Sequence, residues 1–228
     1  MDWNMLLFLV FPYVALALAI VVTIYRSVVR PFSLSSLSSQ LLERRLLYWG
    51  SIPFHWGVTI ILGFHLIAIF IPQSIVLWNA QPLRLYLLEI SGLGLGLWAT
   101  FGMVMLLIRR VSVARIRAVS TPMDYVVLLL VLVSLGTGVA VASFYRWGSY
   151  WFTGLFTPYI LGLLTLHPNP APLAPLPLLI KVHVFNFFLL TLAFSFSRLV
   201  HIIAWPLGYL LRPWQIVVAL RAPRPAGR

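Results

Sequence analysis

Cysteine is absent from the 228 residues. That excludes disulfides, a cysteine-ligated iron–sulfur cluster and the C-x-x-C-H attachment of a c-type haem, so any haem must be held non-covalently. Acidic residues are almost absent too, with only Asp2, Glu43, Glu89 and Asp124 in the whole chain. Four carboxylates are too few to build an oxygen-ligand cage for a hard cation. Imidazole is the one strong metal ligand in supply, from five histidines.

What is present is apolar. Hydrophobic residues make up 61% of the chain and charged ones 9%. A soluble domain of this length could not bury so much apolar surface, so lipid must serve as the solvent. The +12 net charge would suggest nucleic acid in a soluble protein. Here the basic residues cluster between apolar runs, and no interleaved basic–aromatic surface remains for nucleic acid. The expected fold class is therefore an all-α integral membrane protein, one domain over residues 1–228.

Five spans are expected, at about residues 5–25, 49–71, 90–108, 124–143 and 178–204. The first, with Asp2 before it and Arg26 and Arg30 after it, reads as a retained helix and not a cleaved secretory signal. Pro12 should kink it, which a lipid-embedded helix tolerates. Residues 39–48 look amphipathic and suited to the membrane surface. Gly92, Gly94 and Gly96 open the third span with small residues fit for close helix contact. Thr121, Pro122 and Asp124 mark a helix start. The connection before the fifth span ends in the proline-rich HPNPAPLAPLP, expected to be extended.

The arginines orient these spans. The first loop carries Arg26, Arg30, Arg44 and Arg45, the third Arg109, Arg110, Arg115 and Arg117, and the tail Arg212, Arg221, Arg224 and Arg228. The second and fourth loops carry Arg84 and Arg146, with Lys181 at the edge of the fifth span. An excess of positive charge on the cytoplasmic side puts the N-terminus outside and the C-terminus in the cytoplasm of a prokaryotic inner membrane. The basic cytoplasmic face is the expected docking surface for a partner.

The chemistry lies in the histidines. In KVHVFNFFLLTLAFSFSRLVHIIAWP, His183 and His201 are eighteen residues apart. That is five helical turns, which sets both imidazoles on one face ~27 Å apart. His55 and His65 stand ~15 Å apart on the second span. Under the orientation above, His55 lies level with His201 near the cytoplasm, and His65 with His183 near the outer face. Two bis-histidine sites stacked across a membrane are what two b-type haems need. The unequal separations require tilted helices. A single histidine in a membrane helix is more often a packing residue or proton relay than a ligand. Four at matched depths on two helices favour ligation. His167 falls in an outer loop and is expected to be solvated.

Flanking residues carry weaker signals. Gly57 and Gly63 either make room for a macrocycle or serve plain packing. Arg198, one turn before His201, is placed to meet haem propionates or to reach lipid headgroups. Lys181 and Arg84 pose the same choice at the outer face.

The strings FPYVA, SSQLLERR, RRVSVARIRAVSTPMD and FSFSRLVHIIAWPLGYLLRPWQIV, with the ten- and eighteen-residue histidine spacings, resemble the γ subunit of membrane-bound respiratory nitrate reductases, a family of di-haem cytochromes b. The resemblance covers nearly the whole chain and departs mainly in the second loop. It implies two haem b groups and oxidation of membrane quinol at the outer face. Electrons then pass through the outer and the inner haem to an iron–sulfur β subunit and a molybdenum-containing α subunit in the cytoplasm. It also implies a basic residue of the second loop at the quinol site, for which Arg84 is the candidate, with Lys181 as a second. One rival keeps the wiring but serves a nitrite-oxidising or sulfur-metabolising partner. Another, of a different class, is a haem-free membrane anchor or transporter.

Overall fold

The computed structural model describes residues 3–29 and 42–202. Helix is the regular structure throughout these residues, and five helices are long and apolar enough to cross a membrane. In chain order, α1 is Trp3–Val29, α2 Arg45–Phe70, α3 Pro72–Asn79, α4 Pro82–Ser112, α5 Ala114–Ala118, α6 Pro122–Phe144, α7 Gly148–Trp151, α8 Thr157–Leu164 and α9 Leu178–Phe196. The spans are α1, α2, α4, α6 and α9. Large apolar side chains such as Ile20, Val28, Trp56 and Phe70 point outward, as lipid-facing side chains should.

Packing runs α1 on α9, α9 on α6, α6 on α4 and α4 on α2. The histidine-bearing helices α2 and α9 are thus linked mainly through α4 and α6. Helices α2 and α4 approach each other closely at the backbone. A Cβ added at Gly102 would stand 2.5 Å from the Phe54 nitrogen, and one at Gly57 2.9 Å from the Leu95 carbonyl oxygen. Lacking side chains, these glycines let two helices meet at the main chain. The glycines expected for that role do not all fill it: Gly92 and Gly94 face open space, while Gly96 meets Val139 at 3.1 Å. Sequence spacing identifies small residues, but only the neighbour shows which of them face it.

At Pro12 the helix carries a particular compensation. Proline lacks the N–H that would bond the carbonyl four residues earlier, here that of Phe8. The turn before it widens to a π-helix over Leu6–Val10. The buried Tyr159 hydroxyl then donates to the Phe8 oxygen at 2.7 Å. Tyr159→Phe should therefore cost about 1–3 kcal/mol by leaving a buried carbonyl unpaired, seen as a lowered unfolding midpoint in detergent. An unchanged midpoint would mean that water or the relaxed π-turn serves the carbonyl instead.

Two connections differ from expectation. The second loop, residues 73–88, is helical: α3 runs straight from Pro72, and α4 begins at Pro82. The long stretch before α9 is also packed. It forms α7, a π-turn at Phe152–Phe156 and α8, followed by a 3₁₀ turn at Ala171–Leu173. Tyr159, Leu163 and Leu173 bury there against α1 and α9. Thr157 donates to the Ala68 carbonyl at 2.9 Å and Tyr13 to that of Leu163 at 3.1 Å.

The fifth span also departs from the expected single helix over 178–204. Helix α9 ends at Phe196, Ser197 is extended, and a 3₁₀ turn covers Arg198–Val200. The serines and a neighbouring arginine explain the break. Ser197 Oγ accepts from the Leu199 amide, offering the backbone an alternative to the helix. Arg26 of α1 donates to the carbonyls of Ser195 and Ser197, which a continuing helix would have used internally. The surface segment 39–48 coincides with the described residues only from 42, and α2 already begins at Arg45. Arg30, the tail arginines and residues 203–204 lie outside the described residues.

Candidate histidine-pair centre

Helix α2 starts at the arginine-rich end and carries His55 near it. The 3₁₀ turn after α9 brings His201 to the same level. Their ring centres are 6.4 Å apart, with planes inclined at 64°. His55 Nδ1 lies 2.8 Å from the Ser51 carbonyl oxygen and 3.1 Å from the Ser51 hydroxyl. His201 Nδ1 lies 2.7 Å from the Arg198 carbonyl oxygen. A carbonyl can only accept, so in both rings Nδ1 carries the hydrogen and Nε2 keeps its lone pair. Two metal–nitrogen bonds of about 2 Å, and roughly 1 Å more from each nitrogen to its ring centre, span about 6 Å. The observed separation matches one metal ion held between the two rings.

The second pair lies toward the arginine-poor end. His65 Nδ1 is 2.8 Å from the Ile61 carbonyl oxygen, which fixes the same tautomer. His183 Nδ1 is 2.9 Å from the Thr137 hydroxyl. That hydroxyl gives its own hydrogen to the Val133 carbonyl at 2.7 Å, so it must accept from His183. Nε2 of His183 is again the nitrogen that keeps its lone pair. Phe152, in the π-turn, stacks edge-on against His65 at 5.0 Å. Gly138 makes room for His183, since a Cβ there would sit 3.1 Å from its Cε1.

Among the described residues, no group of three or more histidine, cysteine or carboxylate side chains is placed to hold a metal ion. Each pair offers two imidazoles and no further side-chain ligand of that kind. Such a donor set suits an iron whose other four positions are filled by a macrocycle, as in a bis-histidine haem. The residues fit the group. Gly63 faces open space beside His65, whereas Gly57 is taken up by packing on Ala99.

The flanking candidates are distributed as follows. Arg198 faces Asp124 with its Nε 3.5 Å from Oδ1, which leaves the guanidinium four other N–H donors. Arg84, in the first turn of α4, lies 5.7 Å from the centre of the Trp78 ring, and its carbonyl accepts from the Trp78 indole at 2.9 Å. Lys181, two residues before His183, donates to the Ala174 carbonyl at 2.6 Å. The exposed His167 bonds the Thr165 carbonyl. Sequence reasoning missed Thr137 and Gly138. A threonine between two glycines, in an otherwise apolar span, was the available signal.

The profile of the nitrate reductase gamma subunit family matches residues 4–220. The chain belongs to that family. The nitrate reductase gamma chain of Bacillus subtilis is 33% identical over 211 residues, covering 91% of this chain and 94% of that one. The respiratory nitrate reductase 1 gamma chain of Escherichia coli is 27% identical over 222 residues, covering 95% and 97%. The nitrate reductase-like protein NarX of Mycobacterium tuberculosis is 29% identical over 212 residues, 91% of this chain but 32% of that longer protein. This γ subunit is therefore a multi-pass membrane protein, an anchoring and electron-transfer subunit of nitrate reductase that works in association with other subunits of the complex.

Proposed function

We propose that this γ subunit is a di-haem cytochrome b that oxidises membrane quinol, with His55 and His201 holding one haem and His65 and His183 the other. The observation that carries the reading is the His55–His201 pair: two rings 6.4 Å apart on separate segments, each with Nδ1 bonded to a carbonyl. A packing histidine needs one such bond but no opposed imidazole. When bound, the two haems supply one-electron carriers, an outer and an inner, leading from quinol to an iron–sulfur β subunit and a molybdenum-containing α subunit. The chain's own work is to fix each imidazole's tautomer, to keep water from the span, and to admit quinol from the lipid.

The orientation follows from charge. The arginine-rich end is cytoplasmic and faces the partner subunits, and the arginine-poor end is outside, in the cytoplasmic membrane of a prokaryote. Among the described arginines at the inner end, Arg109 is paired with Glu43, and Arg110 and Arg198 with Asp124. Arg44, Arg45, Arg115 and Arg117 are exposed and are the basic residues offered to an acidic partner surface. The quinol site lies beside His65, with Arg84 or Lys181 as its basic residue; each is held at that end of the bundle by contacts of its own. Arg198 remains the candidate for an inner propionate.

The test is a dithionite-reduced minus oxidised spectrum of the purified subunit, followed by quinol oxidation in proteoliposomes. A b-type band, proton release on the arginine-poor side, and loss of at least tenfold turnover in Arg84→Ala or Lys181→Ala are the expected results. A flat spectrum defeats the haem reading and favours a haem-free anchor. Proton release on the arginine-rich side defeats the orientation. Co-purification with a nitrite-oxidising or sulfur-metabolising partner would keep the haem sites and replace the terminal substrate.

A further inference from the structure

Three of the sequence strings that carried the resemblance meet at the arginine-rich end through ion pairs. Glu43 of SSQLLERR accepts from Arg109 Nε at 2.8 Å, and Arg109 is 4% exposed. Burial raises the Glu43 carboxyl, but the amides of Leu46 and Leu47 and the Arg109 guanidinium outweigh it and hold the pKa below the ordinary value. Asp124, which closes RRVSVARIRAVSTPMD, lies 3.0 Å from Arg110 Nη1 and 3.5 Å from Arg198 Nε of FSRLVH.

Asp124 is fixed independently of Arg198. Its Oδ2 accepts the Thr121 amide at 2.9 Å and completes the capping box of α6. Its side chain is 9% exposed. Arg198, by contrast, stands in the 3₁₀ turn beyond the break at Ser197, where α9 no longer sets the backbone. His55 takes its orientation from a carbonyl of its own helix one turn back. His201 takes its orientation from the Arg198 carbonyl, in a turn tied to the bundle by Arg26 on the Ser197 carbonyl, by the apolar contact of Leu199 and by the Arg198–Asp124 pair.

We propose that Asp124 is the positioning residue of the inner haem site. Through Arg198 it holds the carbonyl that orients the His201 ring, and its negative charge offsets the two guanidinium groups paired with it, that of Arg198 three residues before that ligand and that of Arg110. The inference rests on the reading of His55 and His201 as haem ligands. A ferrous haem is one unit less positive than a ferric one, so nearby positive charge favours reduction. Asp124→Asn removes the offset and should shift the inner haem roughly tenfold toward the reduced form, about 59 mV for a one-electron couple. Arg198→Gln removes a positive charge and should shift it the opposite way. The double variant should return close to wild type, because the two charges act on the same site.

The experiment is redox titration of the purified nitrate reductase complex with haems monitored optically, together with the low-spin EPR signal of each haem. Thr121→Ala is the structural control, removing the other half of the α6 capping box while leaving the Arg198 pair. Opposite shifts of the inner haem in the two single variants, with the outer haem and the Thr121→Ala variant unmoved, support the proposal. Shifts of the same sign in both, or equal shifts in Thr121→Ala, show a merely structural role and overturn it. If Asp124→Asn fails to assemble, Asp124→Glu and Arg198→Lys keep the charges at altered reach; an unaltered EPR signal in both overturns the positioning role. Two haems with an unmoved inner potential defeat this inference alone, whereas a wild-type complex without γ-bound haem defeats the underlying reading.

Discussion

Replacing His201 or His55 by alanine should lower the haem content of the purified γ subunit from two to one per chain, and quinol-driven nitrate reduction should fall below a hundredth of wild type. Each pair consists of one imidazole from α2 and one from the fifth span, and among the described residues no third histidine, cysteine or carboxylate joins either. With one ligand gone, the remaining imidazole cannot hold a six-coordinate low-spin iron. Replacing His65 or His183 should have the same numerical effect but remove the other haem, so the surviving signals should be complementary. His167→Ala supplies the control, because among the described residues that exposed side chain bonds its own loop at Thr165; it should keep both haems. Pyridine-haemochrome assay gives the count and EPR the identity. A count of two in all four variants, or a drop in His167→Ala, would contradict the assignment.

A comparable loss is expected from a residue that carries no chemistry. Gly102→Val should unfold the α2–α4 interface and take the inner haem with it. The added Cβ would lie 2.5 Å from the Phe54 nitrogen and 2.6 Å from the Gly50 carbonyl oxygen. Both atoms belong to backbone and cannot rotate away. The helices must part, and Phe54 adjoins the candidate ligand His55, packing edge-on to it at 4.9 Å. Overpacking of a side chain against other side chains typically costs 1–3 kcal/mol, and a clash with two main chains should exceed that. Gly102→Ala should already cost at least about 1–3 kcal/mol. Gly94→Ala makes the contrast, since a Cβ there meets nothing within 4 Å; it should leave stability at or slightly above wild type. Thermal unfolding in detergent, read with haem retention, checks both. Equal behaviour of the two alanine variants would mean that α2 and α4 do not approach at the main chain.

The membrane architecture was legible in the chain because it depends on composition and length. Apolar runs of twenty or so residues have few alternatives in water or lipid, and the five helices stand where those runs are. Counting residues placed His55 and His201 at one depth, and their rings do lie 6.4 Å apart, although His201 stands beyond the break after Phe196 and not on one unbroken helix with His183. Local signals also held where they act locally. Thr121, Pro122 and Asp124 form the expected helix start, with the reciprocal capping bonds in place.

What the tertiary structure decided were the contacts between distant residues. The sequence pattern of the fifth span continues through Ser195, Ser197 and His201 as if helical; Ser197 offers a local alternative by accepting from the Leu199 amide, and Arg26 arriving from α1 takes up the carbonyls of Ser195 and Ser197. Gly57 and Gly102 differ from Gly92 and Gly94 by the direction they face, which no spacing within one helix reveals. Arginine counts predict an orientation for the spans, but whether a given arginine is available to a partner depends on whether Glu43 or Asp124 has already engaged it. The physical reason is the same in each case. Solvent preference and helical rise are properties of a residue and its near neighbours, whereas a hydrogen bond, a close approach or an ion pair needs a second residue that chain order places anywhere.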